Sequence, residues 1–424
     1  MVIVLPSMYR IFIFFYLLSM RLAALWIPKA RLWLSGRKGL LAEIREQLQE
    51  ERRPVVWFHC ASLGEFEQGR PLIQGVRQNH PGVCILLTFF SPSGYEACKQ
   101  YEGADHIFYL PMDTPRNARQ FIQYTSPVLA VFVKYEFWHY YLYYLKERQI
   151  PTLLVSGVFR KDQPFFRWYG GFWRNMLGAF SHLFVQDSHS YALLESLGLQ
   201  DRATVSGDTR FDRVLEILEQ GLKIPAAAAF AAGCKELIVA GSTWNEDEKE
   251  LAHFIRSHPA IRFIIAPHEL SRDHLNDIRS SFPSQMLYSE YVLIYHEKPA
   301  DFQCLIIDNI GLLSRLYQYG SVTYVGGGFG GDGVHNVLEA AVWSKPVVFG
   351  PEYSKYREAS ELVEAGGGFS ASNTLDLEEC FNELLGDQEA LDQAGRSAGS
   401  YIHSKAGATQ KVIRYIQEKR LLTN

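Results

Sequence analysis

A glycine-rich stretch in the second half of the chain, residues 322 to 351, carries residue types that can hold an anion. A β-branched run there enters a loop with six glycines, and His335 and Asn336 follow the loop. Glycines let backbone N–H groups approach an anion closely, and the positive end of a helix adds to the attraction. The pattern predicts a strand, a phosphate-binding loop that includes Gly327 and Gly328, and a helix opened by His335. An ordinary strand-to-helix turn is the alternative.

Other polar residues of the second half extend this predicted site. Glu339 lies one helical turn after Asn336, where its carboxylate can accept hydrogen bonds from ribose hydroxyls. Ser242 and Thr243 follow another predicted strand, and their hydroxyls suit a phosphate. His268 closes a third strand and could face a nucleotide base, although a lone histidine is more often structural. The acidic run EDEKE, which comes shortly after Thr243, is interpreted as a solvated helix face.

The first half contains two carboxylates that each follow an apolar run. Glu65 comes after the strand predicted at residues 54 to 60, and Glu136 comes after the one at 128 to 133. Open α/β sheets place their active sites at the carboxyl ends of parallel strands. Glu65 could act there as a general base, and a second carboxylate on the same rim favours a site for an acceptor hydroxyl. The alternatives are a helix cap formed by Ser62 with Glu65 and an ordinary surface position for Glu136.

Several classes of site are disfavoured by what the sequence lacks. It has no D-x-D pair, no histidine cluster and no G-x-x-x-x-G-K-[ST] loop, which argues against a metal-dependent glycosyltransferase and a P-loop ATPase. Its six cysteines are scattered without a C-x-x-C pair, so we interpret them as reduced core residues of a cytoplasmic body without structural zinc. We therefore expect no metal and no cofactor.

The chain of 424 residues is too long for one ordinary core, and predicted strands alternate with helices along most of it. This alternation predicts an α/β protein with two Rossmann-like domains. We expect the first domain at 41–207, a linker at 208–233 and the second domain at 234–405. The basic helix predicted within 406–424 is able to cross back over the first domain.

Residues 1–40 form a separate segment that combines hydrophobicity with positive charge. They carry six basic and no acidic residues, and the run from 11 to 27 is apolar except for Arg21. The run is shorter than the roughly 20 residues that span a bilayer, so we expect a membrane-anchor helix and a basic juxtamembrane segment. A spanning helix and a cleaved signal peptide are alternatives. The basic residues expected to meet anionic headgroups are Arg21, Lys29, Arg31, Arg37 and Lys38. Because the basic charge is local, the chain is not predicted to bind nucleic acid.

Taken together, these residues resemble the 3-deoxy-D-manno-octulosonic acid (Kdo) transferase family. The likeness covers nearly the whole chain and is carried by the segments WFHCASLGEFEQGRPLI, TFFSPSGYE, KYEFW, AGSTWNEDE and VGGGFGGDGVHNVLEAAVWSKPVVFGP. The S-x-G-E block followed by the H-N-x-L-E block is specific. The resemblance implies a GT-B fold, in which two Rossmann-like domains face a cleft, with the acceptor on the first domain and a CMP-sugar on the second.

The resemblance also implies an activity. It implies an inverting glycosyltransferase that moves Kdo from CMP-Kdo to a lipid A precursor in lipopolysaccharide core biosynthesis, without a metal or other cofactor. Glu65 would take the proton from a glucosamine 6-hydroxyl, with Glu136 as the second catalytic carboxylate, and CMP would leave. The N-terminal anchor would hold the protein on the lipid surface at the cytoplasmic face of the inner membrane.

Two of the implied donor-binding residues depart from the usual family pattern. The full implied set is Arg210, Ser242, Thr243, His268, Gly327, Gly328, His335, Asn336 and Glu339. Arg210 stands where lysine is common and keeps the positive charge for a phosphate or for the Kdo carboxylate, with a different geometry. His268 lies in a Pro-His-Glu run that replaces Pro-Arg-His, so the residues that the resemblance assigns to base recognition differ from the usual family pattern.

Two other functions are compatible with parts of this pattern. A GT-B-type sugar-nucleotide 2-epimerase, of the kind that acts on UDP-GlcNAc, shares the two-domain plan but leaves residues 11 to 27 unexplained. A membrane-tethered, non-catalytic scaffold with a transferase fold is the second alternative. The presence of Glu65, Glu136, Asn336 and Glu339 argues against the scaffold.

Overall fold

The computed structural model describes residues 4 to 296, 300 to 331 and 333 to 422. The chain forms two compact units, each built around its own parallel sheet. The first unit consists of Met1–Arg213 with Ala406–Asn424, and the second of Val214–Lys405. Two Rossmann-like units were predicted from the alternation of strands and helices, and that prediction is confirmed.

The first unit contains a seven-stranded sheet with the order β3-β2-β1-β4-β5-β6-β7. Its strands are β1 (Val55–Cys60), β2 (Cys84–Phe89), β3 (His106–Tyr109), β4 (Leu129–Val133), β5 (Thr152–Gly157), β6 (His182–Val185) and β7 (Ala203–Val205). Every residue of β1, β2, β4 and β5 is buried. Continuous apolar runs are typical of parallel strands with helices on both faces, and here alternate residues of β1 join two different core clusters.

Within the described residues 4 to 220 the chain forms ten α-helices. They are α1 (Val4–Ala23), α2 (Pro28–Ser35), α3 (Leu40–Leu48), α4 (Leu63–Asn79), α5 (Pro92–Cys98), α6 (Pro115–Thr125), α7 (His139–Glu147), α8 (Gly171–Leu177), α9 (Ser188–Glu195) and α10 (Thr209–Gln220). Several begin with Ser, Thr or Asp side chains that accept a backbone hydrogen bond, as in α5, α6 and α9. Such caps satisfy N–H groups that a helix start leaves without partners.

The second unit repeats this plan with the strand order β10-β11-β9-β8-β12-β13-β14. Its strands are β8 (Leu237–Thr243), β9 (Arg262–Pro267), β10 (Gln285–Leu287), β11 (Cys304–Ile306), β12 (Val322–Val325), β13 (Val347–Phe349) and β14 (Gly368–Ser370). Its helices are α11 (Pro225–Ala231), α12 (Asn245–Ser257), α13 (Arg272–Ser281), α14 (Tyr288–Tyr291), α15 (Leu313–Leu316), α16 (Leu338–Ala341), α17 (Arg357–Glu364), α18 (Thr374–Gly386) and α19 (Gln388–Lys405).

The last helix and the segment predicted as a linker are both packed structures. α20 (Ala408–Glu418) lies in the first unit, where Val412, Ile413 and Ile416 join the core cluster beside α4. Its start is held by Asp212, whose carboxylate accepts the backbone N–H groups of Gly407 and Thr409 at 2.6 Å each. Residues 208–233 form α10 and the buried α11 rather than an open connection.

The N-terminal helix α1 packs along one side and exposes a large apolar surface on the other. Ile13 is buried with Trp33 and Met112, whereas Phe12, Phe14 and Phe15 are each about 60% exposed. None of the helices in the described ranges combines the length and the hydrophobicity needed to cross a membrane. Such exposure of aromatic rings beside a packed edge is typical of an amphipathic helix.

One basic residue expected at headgroups lies inside the protein instead. The Arg37 guanidinium donates to the carbonyls of Phe90 and Leu110 at 2.7 and 2.9 Å, and it stacks over the Trp33 ring at 4.0 Å. Burial lowers the pKa of Arg37 to about 10. The prediction that Arg37 meets anionic headgroups is therefore wrong, because this side chain ties α2 to the loops after β2 and β3.

A buried carboxylate joins α1 to the start of α7. The Tyr9 hydroxyl donates to Asp113 at 2.6 Å, and the backbone N–H groups of Tyr140 and Tyr141 donate to the same carboxylate at 3.1 Å. Burial raises the pKa of Asp113 to about 6, although these hydrogen bonds oppose the shift. Burial disfavours the charged form of a carboxyl group, and here it outweighs the donors.

This raised pKa makes stability depend on pH at one site. Between the unfolded pKa near 4 and the folded pKa of about 6, the folded protein holds a proton on Asp113 that the unfolded chain has lost. The stabilisation is therefore complete below pH 4 and disappears as the pH rises through 6. We expect the free energy of unfolding of the wild type, relative to Asp113→Asn, to fall by roughly 2 to 3 kcal/mol from pH 4 to pH 7. Denaturant unfolding at several pH values measures this difference, and a difference that is constant with pH would contradict the assignment.

Candidate active site

The candidate site of the first unit lies where the strand order of its sheet reverses. β1 and β4 are neighbours, and the chain leads from β1 to β2 on one side and from β4 to β5 on the other. Such sheets form a crevice outside the carboxyl ends of the two central strands, where ligands usually bind. Glu65 lies in the first turn of α4, directly after β1, and Glu136 lies in the loop after β4. The topology thus brings both predicted carboxylates to one crevice.

The carboxylate of Glu65 is oriented by a neighbouring hydroxyl. Ser62 is the residue before α4, but its side chain makes no capping hydrogen bond to the helix backbone. Its Oγ instead donates to Oε2 of Glu65. The interpretation of these two residues as a helix cap is therefore wrong, because the serine binds the carboxylate. Glu65 remains partly accessible, as a general base must be.

A second loop supports the one that carries Glu65. The backbone N–H of Ser91 donates to the carbonyl of Ala61 at 2.7 Å. A Cβ atom on Gly94 would lie 3.0 Å from the backbone carbon of Ser62, so the two loops approach as closely as a glycine allows. This contact fixes the turn between β1 and α4 and with it the position of Glu65.

Glu136 is held by a chain of buried hydrogen bonds that starts below it in the sheet. The indole N–H of Trp57 donates to Thr88 Oγ1 at 2.8 Å, and we assign the Thr88 O–H to His59 Nδ1 at 2.9 Å. His59 Nε2 then carries the proton and donates to Glu136 Oε2 at 3.2 Å. Trp138 donates its indole N–H to the same oxygen at 2.5 Å. The two direct donors, His59 and Trp138, leave the Glu136 carboxylate little freedom to move. Its side chain is 12% exposed.

Two arginines lie near Tyr135, the residue before Glu136. Arg210 pairs with Asp208 through Nε and a terminal nitrogen at 2.8 Å each, and its side chain is 27% exposed. Burial raises the pKa of the Tyr135 hydroxyl, the charges of Arg160 and Arg210 lower it, and those of Asp208 and Glu65 raise it. Tyr135 therefore lies within electrostatic range of both arginines and of Glu65. A crevice with both signs of charge suits a phosphorylated, hydroxyl-bearing substrate.

The second unit has an equivalent reversal between β8 and β12. β8 ends with Ser242 and Thr243, and the glycine loop follows β12. Ser242 has a left-handed backbone with φ of 53°, and a Cβ on Gly326 would lie 2.3 Å from the Ser242 carbonyl oxygen. This close approach explains why a glycine follows β12. Ser242 is partly exposed and remains a candidate phosphate donor.

Thr243 is not available to a ligand in the way predicted. Its side chain is fully buried, and its hydroxyl donates to Glu248 Oε1 at 2.9 Å. His274 Nε2 contacts the same oxygen at 3.0 Å. Burial raises the pKa of Glu248, and His274 and Thr243 oppose the shift. The prediction that the Thr243 hydroxyl binds a phosphate is wrong, because this hydroxyl is buried and donates to the carboxylate of Glu248.

A second buried carboxylate, Asp247, occupies part of the glycine loop. It accepts the Tyr324 hydroxyl at 2.7 Å, the Gly327 N–H at 2.8 Å and the Trp244 N–H at 2.9 Å. Burial raises the pKa of Asp247, and these hydrogen bonds lower it. The interpretation of this acidic run as a solvated helix face is wrong at Asp247 and Glu248. The Gly327 N–H already donates to Asp247, so it could donate to a phosphate only if that hydrogen bond broke.

The helix predicted after the loop is much shorter than expected. α16 spans only Leu338–Ala341, so His335 and Asn336 precede it and no long helix dipole points at the loop. The expectation of a helix opened by His335 is wrong, because residues 333 to 336 form no regular secondary structure and the helix begins only at Leu338. Asn336 and Glu339 are nonetheless adjacent, since Asn336 Nδ2 donates to Glu339 Oε1 at 2.9 Å. Gly328 is constrained by its backbone, because a Cβ there would lie 2.6 Å from the Gly350 nitrogen.

His335 and His268 belong to one aromatic group with Trp244. The Trp244 indole N–H donates to His335 Nε2 at 2.8 Å, and the two rings lie nearly parallel with centroids 6.2 Å apart. The His268 ring stacks on both of them at 4.5 Å. An indole N–H can only donate, so His335 Nε2 carries a lone pair and its ring proton lies on Nδ1.

One group of possible metal ligands occurs in the described part of the chain, and it lies elsewhere. Glu51, Cys84 and His106 come together at the amino ends of β1, β2 and β3, opposite to the candidate site. Glu51 is already paired with Arg53 at 2.6 Å, which lowers the pKa of Glu51 to about 2. A guanidinium beside the carboxylate opposes binding of a cation.

Several residues of the site were not found from the sequence. His59, Trp138, Arg160, Asp208 and Asp247 were not proposed as site residues. His59 did give a signal, because it is a polar residue within the otherwise apolar run that forms β1. Asp247 is distant in the sequence from Tyr324, and Arg160 is distant from Tyr135, so no local spacing identifies them. Asp208 lies only two residues before Arg210, but nothing in the local sequence marks it as a partner of that side chain.

The chain matches one family across much of the first unit. Residues 34–213 match the family described as 3-Deoxy-D-manno-octulosonic-acid transferase (kdotransferase). The chain is 26% identical over 372 residues to the 3-deoxy-D-manno-octulosonic acid transferase of Haemophilus influenzae, which covers 84% of this chain and 85% of that protein. It is 25% identical over 350 residues to the enzyme of the same name from Aquifex aeolicus, covering 78% and 86%.

A solved structure supports the fold independently. UDP-GlcNAc 2-epimerase from Neisseria meningitidis superposes with a TM-score of 0.62 and 15% identity, over 86% of this chain and 100% of that one. At this identity the likeness shows a GT-B-like fold and carries nothing about activity. The resemblance drawn from the sequence is confirmed by the family match and the relatives. The chain is a glycosyltransferase that is similar over most of its length to 3-deoxy-D-manno-octulosonic acid transferases.

Proposed function

We propose that this protein is an inverting glycosyltransferase that transfers Kdo from CMP-Kdo to a lipid A precursor. The proposal rests on the positions of Glu65 and Glu136, which follow the two neighbouring strands at which the strand order of the first sheet reverses. Both residues lie inside the range 34–213 that matches the transferase family. Two oriented carboxylates are suited to accept hydrogen bonds from the hydroxyl groups of a sugar and to take a proton from one of them. The arginines beside them are suited to bind a phosphate on the same sugar.

Glu65 is the proposed general base. Its carboxylate accepts a hydrogen bond from Ser62, which orients one oxygen and leaves the other to take the proton of the acceptor hydroxyl. The hydroxyl oxygen then attacks the anomeric carbon of Kdo, and the bond to the CMP phosphate breaks. Direct displacement of this kind inverts the anomeric configuration. Glu136, fixed by His59 and Trp138, accepts a further substrate hydroxyl and orients the acceptor.

The second unit supplies the proposed donor contacts. Asn336 and Glu339 form a hydrogen-bonded pair that can hold the ribose hydroxyls. His335 offers its Nδ1–H to the phosphate, because Trp244 fixes the opposite nitrogen as an acceptor. Ser242 and Gly328 add donors at the ends of β8 and β12. His268 covers the Trp244–His335 pair and is proposed to lie beside the cytosine ring, where aromatic stacking favours a base.

Arg210 is proposed to neutralise the negative charge of the Kdo carboxylate or of the phosphate. Asp208 engages the guanidinium through two nitrogens and so fixes its plane. A single phosphate presents less charge than a diphosphate, so protein donors can meet it without a divalent cation. No metal and no other cofactor is part of this proposal.

The N-terminal helix is proposed to hold the enzyme on the cytoplasmic face of the inner membrane. The exposed rings of Phe12, Phe14 and Phe15 would enter the boundary between headgroups and acyl chains. Trp26, which is 75% exposed beyond the end of α1, has the amphipathic ring that favours this depth. Arg10 and Arg21 lie on the same helix and would meet anionic headgroups.

Mass spectrometry of lipid products tests the proposal. Purified protein with CMP-Kdo and a tetraacylated lipid A precursor, in excess EDTA, should yield lipid that is heavier by one or more Kdo residues. Replacing CMP-Kdo by UDP-GlcNAc is the matched control and should yield neither a new lipid nor an epimerised sugar. If product forms only after Mg²⁺ is added, the metal-independent part of the proposal is wrong, and if no lipid gains mass under either condition, the acceptor is wrong.

A further inference from the structure

A cavity of about 670 Å³ opens in the first unit beside the candidate site, and the reaction described so far does not use it. Its walls come from α1, the segment after β5 and α8. Phe165 and Phe172 line it from the buried side, and Trp173 lines it from a partly exposed position. The volume falls within the roughly 300 to 1,000 Å³ typical of small-molecule sites. We call it the aromatic cavity.

The lining of the aromatic cavity combines apolar and polar groups. It includes Phe12, which is 61% exposed on the apolar side of α1. It also includes Tyr135 and Arg160. The hydroxyl of Tyr135 lies within electrostatic range of Glu65, so the polar part of the lining adjoins the proposed base. The cavity therefore leads from an exposed apolar helix to the crevice where the acceptor hydroxyl is proposed to react.

This polarity selects an amphipathic ligand. A sugar or nucleotide would lose hydration against aromatic walls without gaining hydrogen bonds, which is unfavourable. A purely apolar ligand would leave the guanidinium of Arg160 unused. A chain of methylene groups gains from burial along the walls, and a phosphate at its head gains from the arginine.

We propose that the aromatic cavity binds one acyl chain of the acceptor lipid and that Arg160 contacts a phosphate of its headgroup. This inference rests on the proposed function, because it assumes that the acceptor is a phosphorylated, acylated sugar. The chain enters from the exposed side of α1, and the sugar emerges beside Glu65. The cavity thereby couples binding of the lipid tail to the position of the reacting hydroxyl.

Binding can be tested without the transfer reaction. The probe is monomeric lysophosphatidic acid with a brominated acyl chain, because bromine quenches tryptophan fluorescence at contact. Trp173 lines the cavity, whereas Trp168, which is 87% exposed, does not. Quenching should be clearly smaller in Trp173→Phe than in the wild type and unchanged in Trp168→Phe. Equal quenching in the wild type and in Trp173→Phe would overturn the assignment of the cavity.

A kinetic test uses the same pair of positions. Trp173→Asp, which puts a charge in the path of the chain, should raise the KM for an acylated acceptor about tenfold or more, the effect of losing two buried methylene groups. Its kcat/KM for a deacylated acceptor should match that of the wild type, and Trp168→Asp should match the wild type with both acceptors. An unchanged KM for the acylated acceptor in a folded Trp173→Asp protein would reject the inference.

The two tests separate this inference from the proposed function. If the wild type transfers no Kdo to any acceptor but the brominated chain quenches Trp173, the transferase proposal fails and the acyl site stands. If transfer is efficient but neither Trp173 variant changes chain binding, the transferase proposal stands and the acyl site fails.

Discussion

Replacing Glu65 by glutamine is expected to reduce Kdo transfer by about 100-fold or more while CMP affinity and the fold remain unchanged. Glutamine has the shape of glutamate and can still accept the hydrogen bond from the Ser62 hydroxyl, but it cannot take a proton from the acceptor. The loss should appear in kcat and in kcat/KM together, because proton removal matters in the transition state and not in substrate binding. Initial rates with CMP-Kdo and calorimetry with CMP measure the two quantities.

The same helix offers a matched control. Glu67 lies two residues further along α4 and pairs with Arg213 at 2.7 Å, away from Ser62. Glu67→Gln removes the same charge from the same helix and should leave turnover within about twofold of the wild type. Near-normal turnover in Glu65→Gln, or an equal loss in both variants, would remove Glu65 from the mechanism.

The fold was largely predictable because most strands of both sheets are buried on both faces. Runs such as residues 55–60 and 84–89 are apolar except for His59 and Thr88, and turn residues separate them from helices. Every strand expected from such a run is present. The two strands that were missed, β10 and β14, have three residues each and lie at the two edges of the second sheet. Their sequences are too short and too mixed to give a periodic signal.

The candidate site was only partly predictable, because the missing information is tertiary. Glu65 and Glu136 were found from their positions after strands, which the parallel topology converts into proximity. Asp247 and Glu248 were misread as exposed because an acidic run on a helix usually faces water. Their burial depends on Tyr324 and His274, which lie 77 and 26 residues away and supply the hydrogen bonds that a buried carboxylate requires.

The burial of Asp247 gives the glycine loop a second role besides the predicted binding of a phosphate. Its glycines were interpreted as a phosphate cradle, yet Gly326 and Gly328 are also required by close backbone contacts with Ser242 and Gly350. Asp247 accepts the N–H of Gly327 and so fixes the loop from inside. These contacts hold the backbone from Gly326 to Gly328 in place before any ligand binds. Such preorganisation favours affinity, because less conformational entropy is lost when the ligand arrives.

The Asn336–Glu339 pair is the feature of the second unit whose loss should weaken donor binding most. Glu339→Ala is expected to weaken CMP binding by roughly 1.5 to 3 kcal/mol, the usual value of a hydrogen bond to a charged group. That corresponds to an increase in Kd of about 10- to 150-fold. Calorimetric titration with CMP measures it directly. The alanine also leaves Asn336 Nδ2 without the acceptor that it contacts at 2.9 Å, so part of the loss comes from a less ordered Asn336.

Two further variants separate the charge of Glu339 from its place in the structure. Glu339→Gln keeps an oxygen that can accept from Asn336 but removes the negative charge, so its Kd for CMP should lie between those of the wild type and Glu339→Ala. Glu364→Ala, at the exposed end of α17, removes a carboxylate from the same unit and should leave the Kd unchanged. If Glu339→Ala folds and binds CMP as tightly as the wild type, the carboxylate does not hold the ribose, and Glu339 serves only to orient Asn336 before α16.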